Sequence, residues 1–193
     1  MKTDSSIEVE IKVRVQGRLA KIRARLREEG FVVSKRRVFE HNIMFDTADS
    51  RLSQSGKALR IRRAGHEYTF TYKGPVEAGG KHKTREEIET KAASFENLEG
   101  IVTRLGYIPK FRYEKYRTEY QKGKAGGVVT LDETPAGVFL EIEGSPEWID
   151  RTATRLGFAP SDYITRSYAD LYQGYCQELG LTPGNMVFEN VFK

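Results

Sequence analysis

Residues 7–15, IEVEIKVRV, alternate without a break: Ile7, Val9, Ile11, Val13 and Val15 take one side, Glu8, Glu10, Lys12 and Arg14 the other. Only an extended strand, with its period of two, sorts side chains this way; a helix would spread the same charges around its girth. The chain must therefore accommodate strands with one apolar face and one heavily charged face. The pattern returns further along. LRIR (59–62) sets Arg60 and Arg62 against Leu59 and Ile61, and EYTFTYK sets Tyr68, Phe70 and Tyr72 against Thr69, Thr71 and Lys73. VFLEIE sets Val138, Leu140 and Ile142 against Phe139, Glu141 and Glu143. REEIETK, FRYEKYRTEY and GVVTLD are further strands, rich in β-forming residues.

Four segments switch to helical spacing. Residues 17–29 carry Leu19, Ile22 and Leu26 on one side and stop at Gly30. Ser94 caps a second helix with Phe95, Leu98, Val102 and Leu105, ending at Gly106. Ser145, followed by Pro146 at the first helical position, opens a third with Ile149, Ala153 and Leu156. A fourth starts near Ser167 and carries Tyr168, Leu171, Tyr172, Tyr175 and Leu179. Each apolar stripe needs a sheet to lie on. A Glu-x-Glu strand precedes a helix three times (Glu8/Glu10, Glu87/Glu89, Glu141/Glu143), which reads as a repeated unit inside one domain. Residues after Thr182 carry only weak patterning.

The charge needs a use. Charged side chains make up 31% of the 193 residues, against about a quarter in an average domain. With 32 basic and 27 acidic residues the net charge is only +5, so the signs are interleaved and no polycationic face for nucleic acid is expected. The tyrosines fall mostly on apolar faces, where core packing explains them. The single cysteine, Cys176, excludes an intrachain disulfide and points to a reducing compartment. MKTDSSIEVE has no apolar signal region and no stretch approaches the roughly 18 apolar residues of a membrane span, so a cytoplasmic protein without membrane partners is expected. His41, His66 and His82 read as surface or structural histidines, and no His, Cys or Ser constellation offers a nucleophile. The glycine-rich basic stretch 74–84 is either a flexible connection or a lid carrying Lys81 and Lys83.

If helices cover the apolar face, the other face holds Glu8, Glu10, Asp132, Glu141 and Glu143 together with Lys12, Arg60, Arg62, Lys73, Arg85, Lys115 and Arg117. An open sheet could show this face to water, its cross-strand pairs contributing a few tenths of a kcal/mol each. Closure into a barrel is the alternative, favoured by the lack of edge guards and by the sorting of the charges. Carboxylates gather on the first and last strands, bases on the strands between. Facing carboxylates invite a hard divalent cation; facing guanidinium and ammonium groups invite phosphates. A metal-loaded triphosphate satisfies both sets.

EVEIK, LRIRR, TYKGP, REEIE, EKYR, VTLDE, GVFLEIEG and RSYADLY follow one another in the order of a known family. Over residues 7–172 the sequence resembles the CYTH family, the triphosphate tunnel metalloenzymes, which include class IV adenylate cyclases, thiamine triphosphatases and inorganic triphosphatases. The resemblance implies an α+β fold: a closed antiparallel barrel of about eight strands with amphipathic helices outside. It places the tunnel domain at residues 1–175, with a helix end and tail at 176–193. It implies Mg²⁺ or Mn²⁺ held by Glu8, Glu10, Asp132, Glu141 and Glu143. The triphosphate grip falls to Lys12, Arg60, Arg62, Lys73, Arg85, Lys115 and Arg117. Glu10, Lys12, Glu141 and Arg117 are expected at the reacting centre. Glu87 and Glu89 are expected to pair with neighbouring arginines, and Arg14 to be a structural partner. RSYADLY and EKYR lean toward the cyclase branch, with triphosphatase as the alternative and a non-catalytic polyphosphate-binding module behind both. A homodimer is the default expectation for such a protein.

Overall fold

The computed structural model describes residues 5–123 and 126–188. Eight strands, β1 (Ser5–Arg14), β2 (Val32–Asp46), β3 (Ala58–Ala64), β4 (Glu67–Lys73), β5 (Lys83–Ala92), β6 (Ile108–Gln121), β7 (Gly127–Thr134) and β8 (Gly137–Gly144), form the sheet. It closes in the order β1-β5-β4-β3-β2-β6-β7-β8, every neighbour antiparallel. Five helices accompany it: α1 (Leu19–Glu28), α2 (Arg51–Gln54), α3 (Phe95–Arg104), α4 (Pro146–Arg155) and α5 (Tyr168–Glu178). The closed antiparallel barrel with helices outside that the resemblance implied is the fold observed.

Ser94, Ser145 and Ser167 each accept a hydrogen bond from the backbone N–H three residues on, so each caps the helix that begins there. The apolar faces of the strands point outward and the helices cover them. Against α1 and α4 lie Ile11, Val13, Val129, Leu131, Leu140 and Ile142, meeting Ile22, Leu26, Ile149 and Ala153. Val102 of α3 packs on Ile43, Phe45, Leu59 and Ile61, and α5 packs Leu171, Tyr172 and Cys176 near Phe139 and Met186. The inward face carries the charged residues, with Tyr113, Thr130 and Phe139 among them.

The longest strand, the 15-residue β2, is the one the alternation does not announce. Its register against β6 shifts between Val33 and Lys35, between Lys35 and Val38, and between Met44 and Phe45. Each irregularity re-phases the two-residue period, so the sequence VVSKRRVFEHNIMFD never shows a sustained two-sided pattern. α2 was equally unannounced. It is pinned by Asp46, whose carboxylate accepts from the N–H groups of Thr47 (2.7 Å), Leu52 (2.9 Å) and Ser53 (2.9 Å).

The position 175/176 falls inside α5, and the segment after it returns to the barrel. Met186, fully buried, bridges in parallel to Tyr113: its N–H donates to Arg112 O at 3.0 Å and its carbonyl accepts from Glu114 N at 2.9 Å. Among the described residues no helix is long and apolar enough to cross a membrane.

Gly127 is among the glycines fixed by close approach. At Gly127 (φ 154°) an added Cβ would lie 2.2 Å from the Glu143 carbonyl oxygen and 2.7 Å from the Trp148 ring. Neither the β8 backbone nor the indole can withdraw cheaply. Gly127→Ala is therefore expected to destabilise the protein by at least about 3 kcal/mol, read as a lower urea midpoint at unchanged slope. A shift of under about 0.5 kcal/mol would contradict this packing.

Candidate functional site

Strand register decides which charges meet. Across β1 and β8, Glu10 stands opposite Glu143 and Lys12 opposite Glu141; across β1 and β5, Glu8 stands opposite Arg85 and Glu10 opposite Lys83. Directly opposed side chains of one face have Cβ atoms about 5 Å apart, so Glu8, Glu10, Glu141 and Glu143 make one acidic wall. Arg60 and Arg62 of β3 and Lys115 and Arg117 of β6 make a basic wall on the other side of the ring, with Lys73 of β4 between. These side chains line a cavity of about 800 Å³. Eleven of the twelve residues expected in the site line it; Asp132, fully buried, stands behind its surface.

The two walls interlock. Lys12 Nζ lies 2.9 Å from Glu141, which Arg117 also contacts. Lys73 reaches Glu8 at 3.0 Å and Glu87 at 2.5 Å, Arg85 reaches Glu8 at 3.2 Å, and Lys83 donates to Glu10 at 2.9 Å. Arg60 donates to Thr71 Oγ1 at 3.1 Å and approaches Glu87 and Glu89 at 3.6 and 3.4 Å. Arg62 donates to Asn42 at 3.0 Å beside Glu40 at 3.5 Å. Asp132 accepts from Lys115 (2.8 Å), from Arg117 Nε (2.7 Å) and Nη2 (2.5 Å), and from the Tyr168 hydroxyl (2.7 Å). Four hydrogen bonds on one carboxylate make it a holder of bases.

These arrangements set the protonation states. Burial works against the charged form of Glu141, but Lys12, Arg117 and Lys115 outweigh it and hold the carboxyl well below the ordinary range. Burial likewise opposes Glu10, and Lys12 and Lys83 still bring it down. Glu143 goes the other way. Burial, then the carboxylates of Glu8 and Glu10, push it up to about 7, and no cation within 4 Å among the described residues relieves it. Tyr168 is held as the neutral phenol, raised well above 10 by burial and by Asp132 and Glu141.

Among the described residues, no three acids or histidines form a ready-made metal cluster. The donor set nonetheless suits a hard divalent cation. It consists of carboxylate oxygens only, drawn from two adjacent strands, and it includes one carboxyl that its neighbours repel.

Several site residues escaped the sequence. Glu40, 3% exposed, faces Arg62 and Lys115 from β2, the strand whose pattern is broken. Lys83 is no loop residue: it opens β5 and points at Glu10. Lys81 turns instead to Asp150 of α4 at 2.8 Å, where His82 also binds at 2.9 Å, so His82 is structural. Glu87 and Glu89 do pair with Arg60, and Arg14 donates to the Ala136 carbonyl at 3.0 Å.

Glu40 allows a pH test. Burial raises its pKa, but Arg62 and Lys115 outweigh that and leave it at about 2. A carboxyl depressed on folding contributes stability above its unfolded pKa of about 4.5, lost as pH falls toward 2. Glu40→Gln is expected to cost about 3 kcal/mol at pH 7, at about 1.4 kcal/mol per unit, with the deficit closing between pH 4.5 and 2. Unfolding curves of both proteins across that range check it; a deficit independent of pH would refute the assignment.

A model of the CYTH domain matches residues 6–168. A Methanocaldococcus jannaschii protein provisionally named an adenylate cyclase is 36% identical over 141 residues, 72% of this chain and 77% of its own length. Two solved structures share the fold. One, from Vibrio parahaemolyticus and also provisionally named an adenylate cyclase, superposes with a TM-score of 0.77 at 22% identity, covering 87% of this chain and 98% of that one. The other is a Hippeastrum protein provisionally named an adenylyl cyclase and described as having a dominant triphosphatase activity; its TM-score is 0.61 at 17% identity, covering 91% and 97%.

Proposed function

The chain belongs to the CYTH domain family, and from that premise we propose that it is a metal-dependent enzyme acting on a triphosphate, most like an adenylate cyclase that converts ATP to cyclic AMP and pyrophosphate. The observation that carries the reading is the pair of opposed charged walls in one cavity of about 800 Å³, within the range of small-molecule sites. A binder of polyanions alone would have little use for the acidic wall.

In this reading Arg60, Arg62, Lys73, Arg85, Lys115 and Arg117 hold the phosphate oxygens, the arginines by two-pronged hydrogen bonds. Lys12, which lines the cavity 2.9 Å from Glu141, orients the phosphoryl group that reacts. Glu8, Glu10, Glu141 and Glu143 would hold Mg²⁺ or Mn²⁺, and Asp132 keeps Lys115 and Arg117 aimed inward. When bound, the metal supplies Lewis acidity at a phosphate oxygen and at the attacking oxygen. Catalysis then rests on positioning and fixed charge, as phosphoryl chemistry commonly does. The lone cysteine suits a cytoplasmic place of action.

Triphosphatase activity is the second reading. The charged walls read only the polyphosphate, and the Hippeastrum protein of this fold is described as mainly a triphosphatase. Incubation with ATP, thiamine triphosphate and tripolyphosphate, each with Mg²⁺ or Mn²⁺, separates the two. Cyclic AMP with pyrophosphate identifies a cyclase and free phosphate a triphosphatase; no product from any of the three refutes both.

A further inference from the structure

The first residue of α5 touches more of the site than any helix residue described above. Tyr168 is 8% exposed, and its helix turn is fixed by a reciprocal cap in which Asp170 N donates to Ser167 Oγ and Ser167 N to Asp170 Oδ2. Its ring carries two ammonium groups, Lys12 Nζ at 4.6 Å and Lys115 Nζ at 5.0 Å from the centroid. Its hydroxyl donates to Asp132 Oδ2 at 2.7 Å, the same oxygen that accepts from Lys115 at 2.8 Å. Through these charged partners one side chain reaches three strands, β1, β6 and β7, and its ring touches a fourth, β8. The Phe139 ring of β8 lies edge-on beside it, 5.7 Å between centroids.

A lysine ammonium is a point charge on a flexible stem, and its place depends on what surrounds it. An aromatic face attracts it without consuming an N–H donor, so the donors that Lys12 does not spend on Glu141 and Lys115 does not spend on Asp132 stay available for phosphate oxygens. We propose that Tyr168 is a positioning residue whose ring fixes the Lys12 and Lys115 ammonium groups where they meet the triphosphate, the hydroxyl serving only to tie the ring to Asp132. This rests on the triphosphate reading above.

A core aromatic would also be buried here, so the test must separate positioning from packing. Tyr168→Leu removes ring and hydroxyl. Tyr168→Phe keeps both ammonium contacts and loses only the bond to Asp132. Phe139→Leu trims the same cluster at a residue whose ring carries Arg14. Tripolyphosphate binding with Mg²⁺ is measured by calorimetry, turnover is split into kcat and KM, and thermal melts are recorded alongside. Tyr168→Leu is expected to weaken tripolyphosphate at least about 10-fold and to raise KM, with Tyr168→Phe restoring affinity to within about 3-fold of the parent. Phe139→Leu, at a comparable loss of Tm, stays within about 3-fold. Parent-like affinity in Tyr168→Leu, or an equal loss in Phe139→Leu, overturns the inference. If Tyr168→Leu does not fold, Tyr168→Met is held to the same criteria. A parent that binds no tripolyphosphate refutes the triphosphate reading and this inference with it; a parent that binds it, with Tyr168→Leu unaffected, refutes this inference alone.

Discussion

Glu143→Gln and Glu10→Gln are each expected to lower metal-dependent turnover by at least about 100-fold while leaving the barrel folded. The two carboxylates stand directly across the β1–β8 ladder, and Glu8 and Glu141 flank them. Their effects on the fold should have opposite sign. Glu143 is repelled by its neighbours, so its loss relieves the metal-free protein and holds or raises its melting temperature. Glu10 binds Lys83 at 2.9 Å, and its loss leaves that buried ammonium without its partner. Titration with Mn²⁺ in the absence of substrate should show weakened binding in both. Full turnover in both variants, with parental Mn²⁺ affinity, would remove the acidic wall from the mechanism.

Arg60→Ala is expected to weaken tripolyphosphate about 100-fold and orthophosphate by less than about 3-fold. Arg60 is 7% exposed and fixed by Thr71, Glu87 and Glu89, so its guanidinium is aimed before any ligand arrives. Hydrogen bonds to a charged group contribute about 1.5–3 kcal/mol each, and a two-pronged contact makes two. A single phosphate can settle against other bases of the cavity, whereas a three-phosphate chain needs the whole row. Competition binding with both anions measures the ratio; equal losses would show that Arg60 does not read chain length.

The strands were legible because β1, β3, β4 and β8 carry a two-residue period with different chemistry on each face, and their closure into a barrel followed from the resemblance of the motifs. β2 was not, because its register shifts scramble that period, and Glu40 went unseen with it. Lys83 sits where a loop becomes a strand, a boundary that composition blurs. The charges on the inner face could be named from parity alone, but parity gives a residue's side and not its partners. Asp132 shows the difference: grouped with the other acids by sign, it spends both oxygens on Lys115, Arg117 and Tyr168. Tyr168 was legible as part of an apolar stripe and of the RSYADLY motif, neither of which tells a packed ring from one that carries two ammonium groups.

On the proposed reading, in which the cavity takes a metal-loaded triphosphate, the interlocked acids and bases of the resting protein would impose a thermodynamic linkage. A polyphosphate arriving alone draws lysines away from their glutamates and strands negative charge; a divalent ion arriving alone strands positive charge. Each guest therefore prepares the vacancy the other fills, and reciprocity requires that both affinities rise by the same factor. Cooperation between metal and anion follows from charge neutrality in a closed space, with no hinge or moving domain needed to transmit it.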